Sequence, residues 1–277
     1  MLAEAVTALL TPASRAARTL GYPAAQAGLA ARAKRNRAAW ADHLAAARAF
    51  VAEAAAQAAQ TRTAVILGSG LLDEVPIDAL ADRFETVICV DVVHPPALAR
   101  RMRRERTNVK FFMGDVAGMI DRVASVAAAA ASAGGPPPRL PESEPRLRLD
   151  LTTCDLVVSA NLATQLPVLP IKHLRRRLGD AYSVETLDAW SDRIIAAHLA
   201  WLRRSFDCPI CLFADDWREV QAKDGTVLER RPSLPDEFDA PPPDAEWRWE
   251  IAPLGEGPPG ERETRWVKGW RDIRRMP

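Results

Sequence analysis

The 277-residue chain predicts an α/β domain wound on both faces of a mostly parallel sheet. Three observations carry that expectation. From residue 63 onward, short runs of apolar residues alternate with longer segments of helical periodicity. The apolar runs are continuous rather than alternating with polar residues, which marks strands buried on both faces by crossover helices. Glycines, carboxylates or small polar residues close the runs, at the strand ends where such sheets bind ligands.

Residues 1–60 read as a helical N-terminal extension or cap. No Pro and only one Gly fall between Gln26 and Gln60, and Trp40, Leu44, Ala47, Val51 and Ala54 recur at spacings of three and four. Gly21, Tyr22 and Pro23 divide this region. Residues 61–277 form the main domain. "TAVILGSG" (63–70) is the first strand and turn, and "PIDALADRF" (76–84) a helix with Pro76 near its first turn. "TVICVDVV" (86–93) and "NVKFFMGD" (108–115) are the second and third strands, around the helix "PPALARRMRRER" (95–106). A third helix runs over 116–133, a fourth strand over "CDLVVSANLA" (154–163) and a long helix over 183–205, with Leu187, Trp190 (or Ile194), His198 and Leu202 along one side. "CPICLFAD" (208–215) is the fifth strand. A small hairpin follows over 218–230, with Asp224-Gly225 as its turn. At the end of the chain, "EWRWEIAPL" (246–254) and "ETRWVKGWRD" (263–272) alternate large apolar and polar residues, the pattern of an antiparallel hairpin. Trp247, Trp249 and Ile251 share a face of the first segment, and Trp266, Lys268 and Trp270 a face of the second. Tryptophans exposed there would serve a homodimer. The Pro-rich, charged stretches near 134–149 and 230–246 read as surface insertions, as loops or partly disordered chain.

A net charge of +1 gives no global footprint for nucleic acid or membrane, and no run of about 18 apolar residues marks a membrane span. The N-terminus lacks the basic and apolar regions of a signal peptide, so the expected location is cytoplasmic. Cys89, Cys154, Cys208 and Cys211 are sparse and lie mostly in apolar runs, the pattern of reduced core thiols. "CPIC" opens a strand rather than a helix and has no second pair, which argues for packing over zinc or redox chemistry. No His/Asp/Glu spacing argues for a metal.

The carboxyl ends of the strands supply Gly68, Ser69 and Gly70, then Asp91 and Val92, then Gly114, Asp115 and Val116, then Ser159 and Asn161, then Asp215 and Asp216. Glycines after the first strand let backbone approach a ligand, and an acid about 20 residues further on suits ribose hydroxyls. This order points to a nucleoside. A dinucleotide fingerprint needs a third glycine where Asp73 stands, and Asp73 with Glu74 opposes a pyrophosphate. A ligand with a positive centre and no phosphate, such as S-adenosylmethionine, tolerates both.

With "VILGSG", "VDVV", "VKFFMGDV" and "CDLVVSANL" in this order, residues 63–277 resemble the class I S-adenosylmethionine-dependent methyltransferases, a Rossmann-like family. The resemblance implies a seven-stranded sheet ending in an antiparallel hairpin. It implies that Gly68 and Gly70 line the methionine part of the cofactor, that Asp91 holds the ribose hydroxyls and that Asp115 holds the adenine amino group. Ser69, Val92, Val116 and Asn161 complete the contacts, with Asn161 and its neighbours facing the acceptor. The chain departs from the family at Ile66, where an acid often stands, and near Leu72, in place of a third glycine. The fourth motif lacks the Asn-Pro-Pro-aromatic signature, so the acceptor is not diagnosed.

Each residue also has a plainer reading. Gly68 and Gly70 would suit any tight turn, Asp91 or Asp115 could cap the helix that follows, and Asn161 could serve a turn. His94, Asn161 and Asp215 are the catalytic candidates. His94 is a general base or a surface-loop residue; Asp215 and Asp216 bind or deprotonate an acceptor, or form a solvated turn. His173 and His198 lie on helical stretches and are accounted for by packing or solvent, and His43 belongs to the N-terminal helices as a residue of the cap. Arg100, Arg101, Arg103, Arg104 and Arg106 form a basic face, for RNA phosphates or for solvent. The leading expectation is methyl transfer to an unidentified acceptor, a small molecule before RNA. A non-catalytic binding module, an RNA methyltransferase and an NAD-dependent oxidoreductase are the alternatives.

Overall fold

The computed structural model of the chain describes residues 2–133, 137–149, 151, 153–235, 238 and 241–274. The N-terminal region holds α1 (Leu2–Leu10), α2 (Arg15–Leu20), α3 (Tyr22–Arg35) and α4 (Ala41–Ala56). Ser14 caps α2, and Gly21, at φ +89°, ends it and starts α3. Sequence periodicity predicts no break between Gln26 and Gln60, but one falls at 36–40. There the Asn36 amide donates back to the Arg32 carbonyl (3.1 Å), a local bond that competes with helix continuation.

The sheet elements are β1 (Thr63–Leu67), α5 (Ile77–Arg83), β2 (Thr86–Asp91), α6 (Pro96–Glu105), β3 (Val109–Met113), α7 (Ile120–Ala133) and β4 (Cys154–Ala160). They continue with α8 (Val168–Leu178), α9 (Val184–Ser205), β5 (Ile210–Ala222), β6 (Val227–Pro232), β7 (Ala245–Ala252) and β8 (Glu261–Trp270). Helix α8, with Pro170 in its first turn and three arginines in its last, holds the helical stretch expected around His173, whose bounds the sequence reading does not give. Helix α7 starts at Ile120 rather than Val116, because the Asp115 carboxylate caps it from outside.

The eight-stranded sheet has the order β3-β2-β1-β4-β5-β8-β7, with β6 paired to β5 off this path. Strands β1 to β5 pair in parallel, and β5, β8 and β7 pair antiparallel. The doubly wound expectation and the terminal hairpin are met. The sheet has one strand more than the expected seven because β5 does not stop at Asp215. It runs on beside β8 to Ala222 and pairs there with β6, through the expected Asp224-Gly225 turn.

Alternation along the strands feeds two cores. Ala64 and Ile66 of β1 join α4 and α5 on one face; Val65 and Leu67 join α9 on the other. The same alternation sends Cys211 into the first core and Cys208 into the second. Cys208 lies 3.5 Å from the Cys154 sulfur, and all four thiols are free. The long α9 stripe packs as its spacing predicts, with Leu187, Trp190, Ile194, His198 and Leu202 all buried.

The two Pro-rich insertions lack helix and strand over 137–149 and 241–244, but they are tied down. Trp190 and Tyr182 donate to the Pro141 and Pro138 carbonyls (2.8 and 2.6 Å), and Glu144 N donates to Ala117 O (3.0 Å). Trp270 likewise donates to Pro241 O (2.8 Å). These stretches form no helix or strand ladder, so their carbonyls are left to receive the indole and phenol bonds. The second insertion begins inside β6 and ends in β7, and positions 134–136, 236–237 and 239–240 of the two stretches lie outside the described residues. The hairpin tryptophans do not form an exposed dimer face. Trp247 and Trp249 pack on α4, Trp270 is buried against Phe238, and Trp266 lies between Arg230 and Arg248. Among the described residues, no helix is long and apolar enough to cross a membrane.

Helix α4 seats on β8 so closely that a Cβ at Gly269 would stand 2.7 Å from the Phe50 ring. Gly269→Ala should therefore cost about 1–3 kcal/mol in urea unfolding, with partial recovery on adding Phe50→Leu. An unchanged midpoint for the single variant would show that this contact does not limit the packing.

Candidate functional site

A cavity of about 380 Å³ opens at the carboxyl ends of β1 to β4, where the strand order reverses. Helix α3 lies across it. Tyr22, Gln26, Leu29 and Arg32 recur at helical spacing and line the cavity from above. Gln26 donates to Val93 O beyond β2 (2.9 Å), and Arg32 to Ile251 O of β7 (2.9 Å), so the helix is fastened on both sides of the sheet centre.

On the β2–β3 side the expected residues converge. Gly68 (φ +74°) and Gly70 (φ +50°) line the cavity in left-handed conformations, and a Cβ on Gly68 would meet Leu162 Cβ at 2.8 Å. Leu72 also adopts a left-handed φ, +63°, where the resemblance has a glycine, and its side chain is buried in the first core. Asp91 does not cap a helix. Its Oδ2 accepts from Gly70 N (2.8 Å) and its Oδ1 from Val92 N (2.7 Å), while α6 begins behind Pro95 without a side-chain cap. Burial pushes the Asp91 carboxyl up, against the pull of these backbone donors and His94. Asp115 lines the cavity, and its Oδ2 accepts from Met119 N and Ile120 N (2.7 and 2.8 Å) at the start of α7. Burial raises it too. Val92 and Val116 complete this wall, and the Ser69 hydroxyl is buried without a partner among the described residues. The Tyr22 phenol is raised by burial and then by Asp115 and Asp91.

On the β4–β7 side stands a polar group that the sequence reading does not assemble. Asn161, at φ +47°, lines the cavity; its Oδ1 accepts from Asp215 N (3.2 Å) and its Nδ2 donates to Glu74 Oε1 (3.4 Å). Glu74 Oε1 also bonds His43 Nε2 at 2.8 Å. His43 is buried, stacked on Trp249 at 4.2 Å, and its Nδ1 accepts from Trp247 Nε1 (3.0 Å). The local signal for His43 is its place on the buried stripe of α4. Glu74 enters the sequence argument only as a charge hostile to phosphate.

Two catalytic candidates are placed elsewhere than expected. The His94 ring is buried, donates Nε2–H to Phe112 O (3.0 Å) and lies edge-on to Phe111, outside the cavity wall. It is neither a loop residue in solvent nor a base facing the cavity. Asp215 is fully buried one layer behind Asn161, near Gln165 (3.4 Å) and Arg265 (3.6 Å). Asp216 pairs with Lys268 (2.8 Å). Neither forms a solvated turn, because β5 continues through both. His198 is a core residue against Ser159 (3.1 Å), with its pKa pushed down to about 3 by burial, and His173 is buried in α8. Among the described residues, no group of three or more His, Cys, Asp or Glu side chains is placed to hold a metal ion.

No family profile and no curated protein matches this chain. Among solved structures, it is similar to a Burkholderia thailandensis 1,6-didemethyltoxoflavin-N1-methyltransferase with bound 1,6-didemethyltoxoflavin and S-adenosylhomocysteine. Identity is 14%, coverage 89% of this chain and 87% of that one, and TM-score 0.39. It is also similar to a precorrin 8W decarboxylase from Methanobacterium thermoautotrophicum, at 14% identity, 80% and 88% coverage and TM-score 0.26. Overlays this loose assign no role to any residue, so the site is judged on its own geometry.

The Asp215 carboxyl is pushed up to about 6, by burial first, against Arg265. The native state thus holds this proton to higher pH than the unfolded chain does. The stability it contributes is greatest at acid pH and is lost as pH rises through about 6. Asp215→Asn, neutral throughout, should gain on the parent by up to about 3 kcal/mol between pH 4 and pH 8. Urea unfolding at the two pH values measures this, and parallel pH profiles would refute it.

Proposed function

We propose that the chain transfers a methyl group from S-adenosylmethionine to a small-molecule acceptor. The observation that carries this reading is the Asp91 carboxylate at the tip of β2. It is braced by one backbone N–H on each oxygen, from Gly70 of the glycine turn and from Val92. A carboxylate oxygen accepts more than one hydrogen bond, so each retains capacity for a further donor, which suits the two hydroxyls of a ribose.

The charge of the cavity supports a cationic cofactor over a dinucleotide. Asp73, Glu74, Asp91 and Asp115 line it, and Arg32, the only cation in that lining among the described residues, is itself paired with Glu256 (3.3 Å). Burial raises Asp73, and Glu74 raises it further. Helix α5, the helix that follows the glycine turn, begins only at Ile77, well past Gly70, and not at the turn where a pyrophosphate would need it. The residues present therefore fit S-adenosylmethionine. Gly68, Ser69 and Gly70 would take its methionine part, Asp91 and Val92 its ribose, and Asp115 and Val116 its adenine. Bound there, the cofactor supplies an electrophilic methyl group. The chain supplies position and exclusion of water, with α3 drawn across the cavity by Gln26 and Arg32.

A cavity of this size beneath a helix favours a small acceptor over RNA. The basic helix α6 carries its charge on an outer face, where Arg101 pairs with Glu105, while Arg106 just beyond it pairs with Asp78 and Asp82. Calorimetric titration with S-adenosylmethionine, S-adenosylhomocysteine and NAD tests the reading. The two adenosyl compounds should bind at micromolar concentration and NAD should give no heat. Asp91→Asn should weaken S-adenosylhomocysteine at least tenfold, about the loss of one charge-assisted hydrogen bond. No heat from either adenosyl compound overturns the proposal. Binding without transfer to any component of a metabolite extract would favour a binding module.

A further inference from the structure

Resting on the methyl-transfer reading, we propose that the β4–β7 end of the cavity is the acceptor subsite. It takes a planar aromatic or heteroaromatic molecule whose nucleophile is an N–H or O–H, and Glu74 is the catalytic residue that removes that proton. The strand order separates this end from the Asp91 end. Strands β2 and β3 lie to one side of β1, and β4, β5, β8 and β7 to the other.

Three features define the subsite. Its walls are flat and apolar: Trp40 and Trp249 meet edge to face at 5.2 Å, beside Leu44 and Ile251. Its donor is the Trp249 indole N–H, which is buried, in a residue that lines the cavity, and has no partner among the described residues. An unmet buried donor is costly, and because this nitrogen has almost no exposed surface, a ring nitrogen or carbonyl of a bound molecule would satisfy it on a turn of the indole toward the cavity. Its base is Glu74. One oxygen, Oε1, is anchored by His43 Nε2 (2.8 Å) and Asn161 Nδ2 (3.4 Å); the other has no hydrogen bond among the described residues, in a side chain that lines the cavity and is 25% exposed.

The anchor has a fixed proton arrangement. An indole nitrogen only donates, so His43 Nδ1 must accept from Trp247, and Nε2 carries the ring proton toward Glu74. His43 is therefore neutral and acts as a positioning residue, leaving Glu74 with its negative charge. Asp73 beside it and Asp215 on β5 add negative charge, with Arg265 turned to Asp215 and Arg48 to the Asp73 carbonyl. In the reaction, Glu74 Oε2 takes the acceptor's proton as the electron pair of that N or O forms the new bond to the methyl carbon. The donor sulfur leaves with the old bonding pair, becoming a neutral thioether.

The test uses the full chain and three fused bicyclic probes, 7-hydroxycoumarin, 8-hydroxyquinoline and benzimidazole, with 7-methoxycoumarin as a control that has no proton to lose. Without cofactor, at least one probe should quench tryptophan fluorescence on binding, and Trp249→Phe should weaken it about tenfold. With labelled S-adenosylmethionine, a bound probe should be methylated and the control should not. Glu74→Gln should hold S-adenosylhomocysteine, which lacks the sulfonium charge that Glu74 would favour, within twofold of the parent yet slow transfer about 100-fold or more near neutral pH. The deficit should shrink as pH rises and the probe ionises unaided, and Glu74→Asp should restore part of the rate. His43→Phe should lower kcat with KM for the probe unchanged, and His43→Gln should recover part of it. Tenfold weaker S-adenosylhomocysteine binding by Glu74→Gln would assign Glu74 to the cofactor and overturn the proposal. An unchanged rate, or no probe bound or methylated while S-adenosylhomocysteine binds, also overturns it and leaves the cofactor reading intact. No S-adenosylhomocysteine binding by the parent chain removes both.

Discussion

The hydrogen bond from Trp247 to His43 joins three distant stretches of chain at one imidazole. Its edges face β7 and the loop after β1, its face stacks on Trp249, and its backbone belongs to α4. The outermost strand of the sheet is held under the N-terminal helices by this ring, and the same ring fixes the loop that carries Glu74. Helix α4 is thus part of the sheet's own core, with Trp40, Ala47, Phe50, Val51 and Ala54 buried among strand residues. Helix α3, which leads into it, can then lie across the open strand ends.

The cavity so formed is electrostatically one-sided. Asp73, Asp91 and Asp115 are all raised by burial, which means that each carboxylate is held where it would sooner be neutral. Backbone donors offset part of that cost at Asp91 and Asp115. A cationic ligand would offset more of it, and an anionic one would add to it. Selectivity between a sulfonium and a pyrophosphate can therefore arise from desolvated charge, without a residue dedicated to rejecting phosphate.

What was legible in the sequence is what local pattern encodes. Continuous apolar runs reported strands buried on both faces, and Gly68, Gly70, Asp91, Asp115 and Asn161 converge because topology brings the carboxyl ends together. What was not legible depends on partners far along the chain. Glu74 meets His43 across 31 positions, and His43 meets Trp247 across 204. His94 sits at the right place in the chain, yet its ring turns to the Phe112 carbonyl. The Pro-rich insertion over 137–149 has the composition of free chain, but Trp190 and Tyr182, from α9 and the loop before it, donate to its carbonyls. The end of β5 is not legible locally either, because a neighbouring strand, β8, extends it past the acidic pair.

Leu72 gives the glycine turn a property that a third glycine would not. A glycine there would sample left- and right-handed conformations alike in the unfolded chain and in any locally opened state. Leucine reaches φ +63° only at a cost of order 1–2 kcal/mol, and holds it here because its side chain is buried in the first core. The loop cannot relax without withdrawing that side chain. Its ordering is thus completed when the chain folds rather than when a ligand arrives, and less conformational entropy is left to lose on binding.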